Sequence, residues 1–164
     1  MIESFNIAEM NQEKLDSERE RVRDLICEVL PNQIVDEVGS SAVEGVIGKG
    51  DLDFALGVAK PQFQTVIAAL DRQFKRNFNQ FSSVEFQGYT VDSDIDVAIQ
   101  VFIKGGSFDN FNRFRDMLRA DLVLKQSYNN LKRAWNGRDM QEYRAAKAKF
   151  IEMALSSSAL ARPD

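Results

Sequence analysis

Asp51 and Asp53 stand at i and i+2 in the run Asp51-Leu52-Asp53-Phe54. On an extended strand both carboxylates project from one face, a few ångströms apart. Like charges that close repel, and the arrangement costs stability unless a cation or a proton resolves it. Mg²⁺, or Mn²⁺ in its place, held by all-oxygen ligands is the natural resolution, and Mg²⁺ commonly brings a nucleotide's phosphates with it. Upstream lies Val38-Gly39-Ser40, separated from Asp51 by residues 41 to 50. Gly39 can turn the backbone tightly, so that its own and Ser40's N–H groups, with the Ser40 hydroxyl, face a phosphate. The order and separation of the two halves make the pair more specific than either alone. Plainer roles stand beside these. Asp51 and Asp53 can be the solvated face of an edge strand, Asp92, Asp94 and Asp96 an exposed acidic rim, and Gly39-Ser40 an ordinary turn.

The chain has no histidine. A Ser-His-Asp triad, a Cys-His pair, an imidazole base and a His-ligated zinc site are therefore excluded. Chemistry must run on carboxylates, lysines, hydroxyls or a metal held by oxygen.

The elements that must position these groups can be read from periodicity. Residues about 10 to 30 place Leu15, Val22, Leu25, Ile26, Val29 and Leu30 among charges, one apolar stripe of a helix that Pro31 ends. Ile34 to Val38 reads as a short strand. Asp51 to Val58 reads as a second, with Leu52, Phe54 and Leu56 alternating against Asp51, Asp53 and Ala55. Pro61 opens a helix whose apolar positions Phe63, Val66, Ile67, Leu70 and Phe74 carry it to about residue 77. Ser82 to Val91 and Asp94 to Ile103 read as a strand pair, closed by Gly105-Gly106. From about Asp109 to Leu155 the pattern is helical, broken at Gly137, and the small-residue tail from Ser156 onward reads as frayed. This order predicts an α+β domain, helices segregated against one small mixed or antiparallel sheet, with helices at the C-terminal end.

At 164 residues, 44% hydrophobic, the chain suits one domain with a real core. With 21 basic and 25 acidic residues the net charge is −4, so extended nucleic-acid binding is not expected. The single Cys27 has no internal disulfide partner and suits a reducing compartment, the cytoplasm by default. No run approaches the roughly 18 apolar residues of a membrane span. The N-terminal MIESFNIAEM lacks the basic-then-apolar order of a signal peptide, so neither membrane nor leader is expected.

Gly39-Ser40 followed by Asp51-x-Asp53 resembles the signature of the polymerase-beta-type nucleotidyltransferase superfamily. Within that fold the chain is more similar to the GrpB-like family. The run Gly39-Ser40-Ser41-Ala42-Val43-Glu44-Gly45-Val46, with Lys49 and Asp53, resembles the family's Gly-Ser-Thr-Ser-Val-Pro-Gly-Leu stretch. Phe114-Arg115-Asp116-x-Leu118-Arg119, Tyr128-x-x-Leu131-Lys132 and Tyr143-x-x-Ala146-Lys147-x-x-Phe150-Ile151 extend the resemblance over roughly residues 34 to 155. The chain departs from the family at Glu44, where proline is usual, at Asp94-Ile95-Asp96, where a His-hydrophobic-His strand is usual, and at Asp51, where many members are apolar. These departures bring it closer to the metal-binding pattern of active nucleotidyltransferases.

The resemblance implies a single nucleotidyltransferase-like domain over residues 1–157, with 158–164 a frayed tail. It implies transfer of a nucleoside monophosphate from a nucleoside triphosphate to a hydroxyl acceptor that the sequence leaves open. The alternative is a non-catalytic nucleotide-binding or protein-interaction domain that keeps the fold. For the enzyme, Asp51 and Asp53 would hold two Mg²⁺ ions, one on the triphosphate and one shared with the acceptor hydroxyl. Asp96, in the superfamily's hydrophobic-Asp-hydrophobic context, would be the third ligand and take the acceptor's proton, with Asp94 a further candidate ligand. Gly39 and Ser40 would orient phosphates, and Lys147 or Lys49 would neutralise charge on the pyrophosphate. The geometry this demands is definite. The 94–103 strand must lie beside the 51–58 strand, with Asp94, Asp96 and Ala98 facing the site and Ile95, Val97 and Ile99 entering the core.

Overall fold

The structure is a computed structural model, and the described residues are 1–160. Helix α1 (Gln12–Val29) starts where the Asn11 side chain accepts the Lys14 N–H, and it buries Leu15, Val22 and Ile26. Strand β1 (Asp36–Val38) leads through Gly39 into one 3₁₀ turn at Ser40–Ala42, and β2 (Leu52–Val58) follows the loop. Helix α2 (Phe63–Leu70), strands β3 (Lys75–Arg76), β4 (Phe86–Thr90) and β5 (Val97–Ile103) come next, then helices α3 (Phe111–Ala120), α4 (Leu122–Trp135) and α5 (Met140–Leu160).

The five strands form one mixed sheet in the order β1-β2-β5-β4-β3, with β2 parallel to β5 and the other pairs antiparallel. Alternation sorts the two faces as the sequence predicts. Leu52, Phe54, Leu56, Val97, Ile99 and Val101 enter one core with the apolar stripes of α1 and α2. Each such side chain, fully buried, contributes about 1.5–3 kcal/mol relative to exposure. On the opposite face Ala55, Phe86 and Phe102 meet Phe108 and Phe111, while Val43, Val46, Phe114, Leu118 and Tyr128 join the loop after β1 to the C-terminal helices. Helices thus pack on both faces of the sheet.

Several boundaries differ from expectation. Helix α2 ends at Leu70, not 77: Asp71 and Phe74 still donate backward to Ile67 and Leu70, which keeps Phe74 buried and the period alive, but Lys75 and Arg76 leave to pair with Thr90 and Tyr89. The strand expected from Asp94 begins at Val97. Val91 N–H donates to Val97 O at 3.1 Å, closing a hairpin whose loop is 92–96. Asp121 caps α4 by accepting the Leu124 N–H, which divides the long helical run before Gly137 does. Residues 158–160, expected to fray, continue α5, and Arg113 donates to Leu155 O at 3.1 Å beside them. The rest of that expected tail, 161–164, lies outside the described residues. Among the described residues no helix is long and apolar enough to cross a membrane.

Candidate active site

Strand directions bring the predicted residues to one end of the sheet. Because β1 is antiparallel to β2, with Val38 opposite Asp53, the end of β1 meets the start of β2. Because β2 and β5 are parallel, with Asp53 opposite Ala98, their beginnings lie side by side. Leu52 N–H continues the ladder to Asp96 O at 2.9 Å. Gly39-Ser40, Asp51, Asp53 and Asp96 therefore share that end. Strand β2 lies between β1 and β5, so the pair of aspartates does not belong to an edge strand.

The turn at Gly39 is built around Asp53. Gly39 has φ +77° and ψ −170°, a region essentially confined to glycine. A Cβ there would collide with Asp53 Oδ2 and lie 3.2 Å from Asp53 Cγ. The loop that follows is pinned from three sides. Ser41 Oγ donates to Asp51 O at 2.5 Å, and Arg119 of α3 donates to Ala42 O at 2.6 Å. Asn129 of α4, buried, donates to Gly45 O at 2.7 Å and accepts the Ile47 N–H at 3.0 Å. Arg119 and Arg115 thus hold backbone carbonyls, Arg115 donating to Glu37 O at 3.1 Å.

Three lysines surround the aspartates. Lys49 Nζ lies 2.6 Å from Asp96 and 3.6 Å from Asp51, bridging them. Burial works against its charge, but the Asp96 hydrogen bond and the nearby carboxylates outweigh this and hold its pKa above the ordinary lysine value. Lys147 of α5, half-buried, and Lys132 of α4 both act electrostatically on Asp53. Burial, reinforced by the charge of Asp51, pushes the Asp53 carboxyl up to about 6 despite these lysines. Among the described residues no group donates a hydrogen bond to that carboxylate.

Lys132, present in the sequence reading only within the Tyr128-x-x-Leu131-Lys132 resemblance, was given no role at the site. It is 2% exposed, and its Nζ donates to Ser40 Oγ at 2.6 Å. Burial first, then Lys147, lowers its pKa to about 7. The available signal was its spacing: Lys132 is four residues after Tyr128 and shares its helix face, where an apolar residue belongs.

Asp94 is not brought to the cluster. Its carboxylate is 90% exposed, 3.9 Å from Lys14 of α1. The hairpin loop is tied down there by Arg21 donating to Asp92 O and Ser93 to Glu18, so Asp94 takes the rim role. Asp96 stays beside the site but is 77% exposed and held by Lys49. Among the described residues no three carboxylate or thiol groups converge enough to enclose an ion. The donor set fits one hard divalent cation at Asp51 and Asp53, since Mg²⁺ is usually held by one or two carboxylates with phosphates and waters completing the shell. The three-carboxylate arrangement expected from sequence is not assembled.

Comparison with known proteins agrees with this architecture. The family model described as GrpB protein matches residues 6–157. A UPF0157 protein of Vibrio cholerae is 33% identical over 134 residues, covering 81% of this chain and 71% of the relative. One from Halalkalibacterium halodurans is 31% identical over 150 residues, covering 84% and 72%. The crystal structure of the conserved protein GrpB from Enterococcus faecalis superposes with a TM-score of 0.63 at 18% identity, over 93% of this chain and 98% of that one. The Cid1 poly(U) polymerase with MgGTP bound superposes with a TM-score of 0.52 at 13% identity, over 73% of this chain and 41% of Cid1. The last two likenesses are of fold.

Proposed function

The chain belongs to the GrpB protein family, and from that premise and the site's geometry we propose that it binds a nucleoside triphosphate and transfers the nucleoside monophosphate to a hydroxyl acceptor. One observation carries the reading. The half-buried Asp53 carboxylate, which accepts no hydrogen bond among the described residues and is repelled by Asp51, sits against the Gly39-Ser40 turn and within the field of Lys49, Lys132 and Lys147. Two carboxylates that need a cation, beside lysines that need an anion, suit a metal–polyphosphate. The likeness of fold to Cid1, whose structure holds MgGTP, supports the same ligand class.

In this reading Asp51 and Asp53 hold Mg²⁺, which when bound supplies charge neutralisation for the phosphates. Ser40 and the turn N–H groups orient the terminal phosphates, and Lys147 and Lys49 compensate charge on the leaving pyrophosphate. The acceptor oxygen bonds to the α-phosphorus as the α–β bridging P–O bond breaks. Pyrophosphate leaves, and the acceptor proton passes to Asp96, whose exposed carboxylate returns it to water. The lone Cys27 is exposed and free, which suits a cytoplasmic setting.

A second reading has its own support: Asp96 is held by Lys49, and Asp94 is turned away, which favours binding without turnover. Incubation with each α-labelled triphosphate, Mg²⁺ and candidate hydroxyl acceptors separates the two. Pyrophosphate release or label transfer that disappears in Asp53→Asn supports transfer. Tight binding with no release supports the non-catalytic reading, and neither outcome with any triphosphate removes the nucleotide from the account.

A further inference from the structure

Lys132 is a buried cation without a carboxylate partner at salt-bridge distance among the described residues. Its ammonium lies 4.7 Å from the Tyr128 ring centroid, 5.9 Å from Phe5 and 6.0 Å from Tyr143. Phe5 is brought there by the N-terminal segment, which zips along the α4–α5 connection through Phe5 N–H to Arg138 O and Gly137 N–H to Phe5 O. Phe5 stacks on Tyr143 at 3.7 Å. The rings screen Lys132 from water and leave Ser40 Oγ as its hydrogen-bonded protein partner.

In its protonated form Lys132 has donors only, so at Ser40 it occupies an oxygen lone pair. The Ser40 O–H is then free to donate and cannot be spent on Lys132. Gly48 closes another side of the serine: a Cβ there would lie 2.8 Å from Ser40 Cβ and 3.1 Å from Oγ. The geometry points to Lys132 as a positioning residue that fixes Ser40 as a hydroxyl donor to a phosphate oxygen seated on the Gly39-Ser40 turn. Lys132 itself, enclosed by rings, touches Ser40 and not the ligand. The inference rests on the phosphate-binding reading above and adds to it how the serine is oriented.

A cation buried without an anionic partner is unfavourable for the fold, and an apolar side chain of similar length among three rings relieves that burden. A structural lysine and a positioning lysine therefore behave oppositely on replacement. The test is a double-mutant cycle on the full chain, with Ser40→Ala, Lys132→Met and the double variant, titrated calorimetrically with inorganic tripolyphosphate and Mg²⁺. Thermal melts are recorded in parallel. We expect Lys132→Met to melt at or above the wild-type temperature while its tripolyphosphate affinity falls about tenfold, as does that of Ser40→Ala. The double variant should lose no more than either single change, because one acts through the other. Multiplying losses, or unchanged affinity in Lys132→Met, overturn the positioning role and leave the phosphate site standing. Failure of Lys132→Met to fold also overturns it, since the lysine would then be structural. If the wild type itself binds no tripolyphosphate, the phosphate-binding reading falls and takes this inference with it.

Discussion

Asp53 and Gly39 are one structural unit, because the carboxylate occupies the space a side chain at 39 would need. Gly39→Ala faces both that collision and a positive φ with extended ψ. We expect a loss of about 2–4 kcal/mol by urea denaturation, and a loss under about 0.5 kcal/mol, the range of an ordinary surface change, would show that the turn relaxes freely. The carboxylate's own charge is a second liability. In metal-free protein its pKa lies near 6, above the ordinary 3.8, so the native state holds more protons than the unfolded chain between those values. Asp53 therefore favours folding below about pH 4 and loses that contribution as pH rises through 6. Asp53→Asn, neutral throughout, should match wild type near pH 4 and exceed it above pH 6 by on the order of 1 kcal/mol, after discounting for partial exposure. Paired denaturation curves in chelator across that range are the measurement. A difference independent of pH would mean that the native site does not resist ionisation.

The loop of residues 39–50 is the element on which the site depends, and α4 holds its middle through a single amide. Asn129→Ala removes partners from both Gly45 O and the Ile47 N–H. The expected cost is about 1–3 kcal/mol, with hydrogen exchange at the Ile47 amide accelerating more than exchange in β2 and β5. Uniform acceleration would mean that the clamp contributes only to global stability. At this scale the sequence was partly legible. Strand β2 could be read because its alternation has a core on each side to satisfy, and the 94–103 strand as its neighbour followed from the need to bring Asp96 beside it, whereas their parallel direction was not read. The alternation of Asp94-Ile95-Asp96-Val97 was the trap: acidic residues interleaved with Ile95 and Val97 mimic a strand, yet β4 ends at Thr90 and leaves 92–95 without a strand to pair with. Strand β3 was hidden because buried Phe74 keeps a helical period after the helix has stopped. Lys132, present only within a resemblance, and Asn129 were given no role at the site for a different reason. A lysine or asparagine on an amphipathic helix reads as solvated, and only tertiary packing of the loop against α4 makes both interior.

Across the whole molecule, the sheet contributes negative charge to the site and the C-terminal helices contribute positive charge. Asp51 and Asp53 come from β2 and its approach, Lys132 and Lys147 from α4 and α5, and the 39–50 loop joins them through Val43 and Val46 packed on Phe114, Leu118 and Tyr128. A ligand carrying both a divalent cation and phosphates would satisfy both halves at once, whereas either component alone leaves one charge set opposed. Mg²⁺ and triphosphate together should therefore raise the melting temperature by more than the sum of their separate effects. At a hundredfold excess over Kd the stabilisation is about 2.7 kcal/mol, or roughly 5–10 °C for a chain of this size. In Asp53→Asn the metal-dependent part should vanish while any shift from triphosphate without metal persists, because the lysines remain. Scanning fluorimetry with each of the four triphosphates, with and without Mg²⁺, reads this directly. Additive shifts would mean that cation and phosphate do not meet in one site, and a flat response to every pair would leave the carboxylate–lysine arrangement as internal charge balance of the fold.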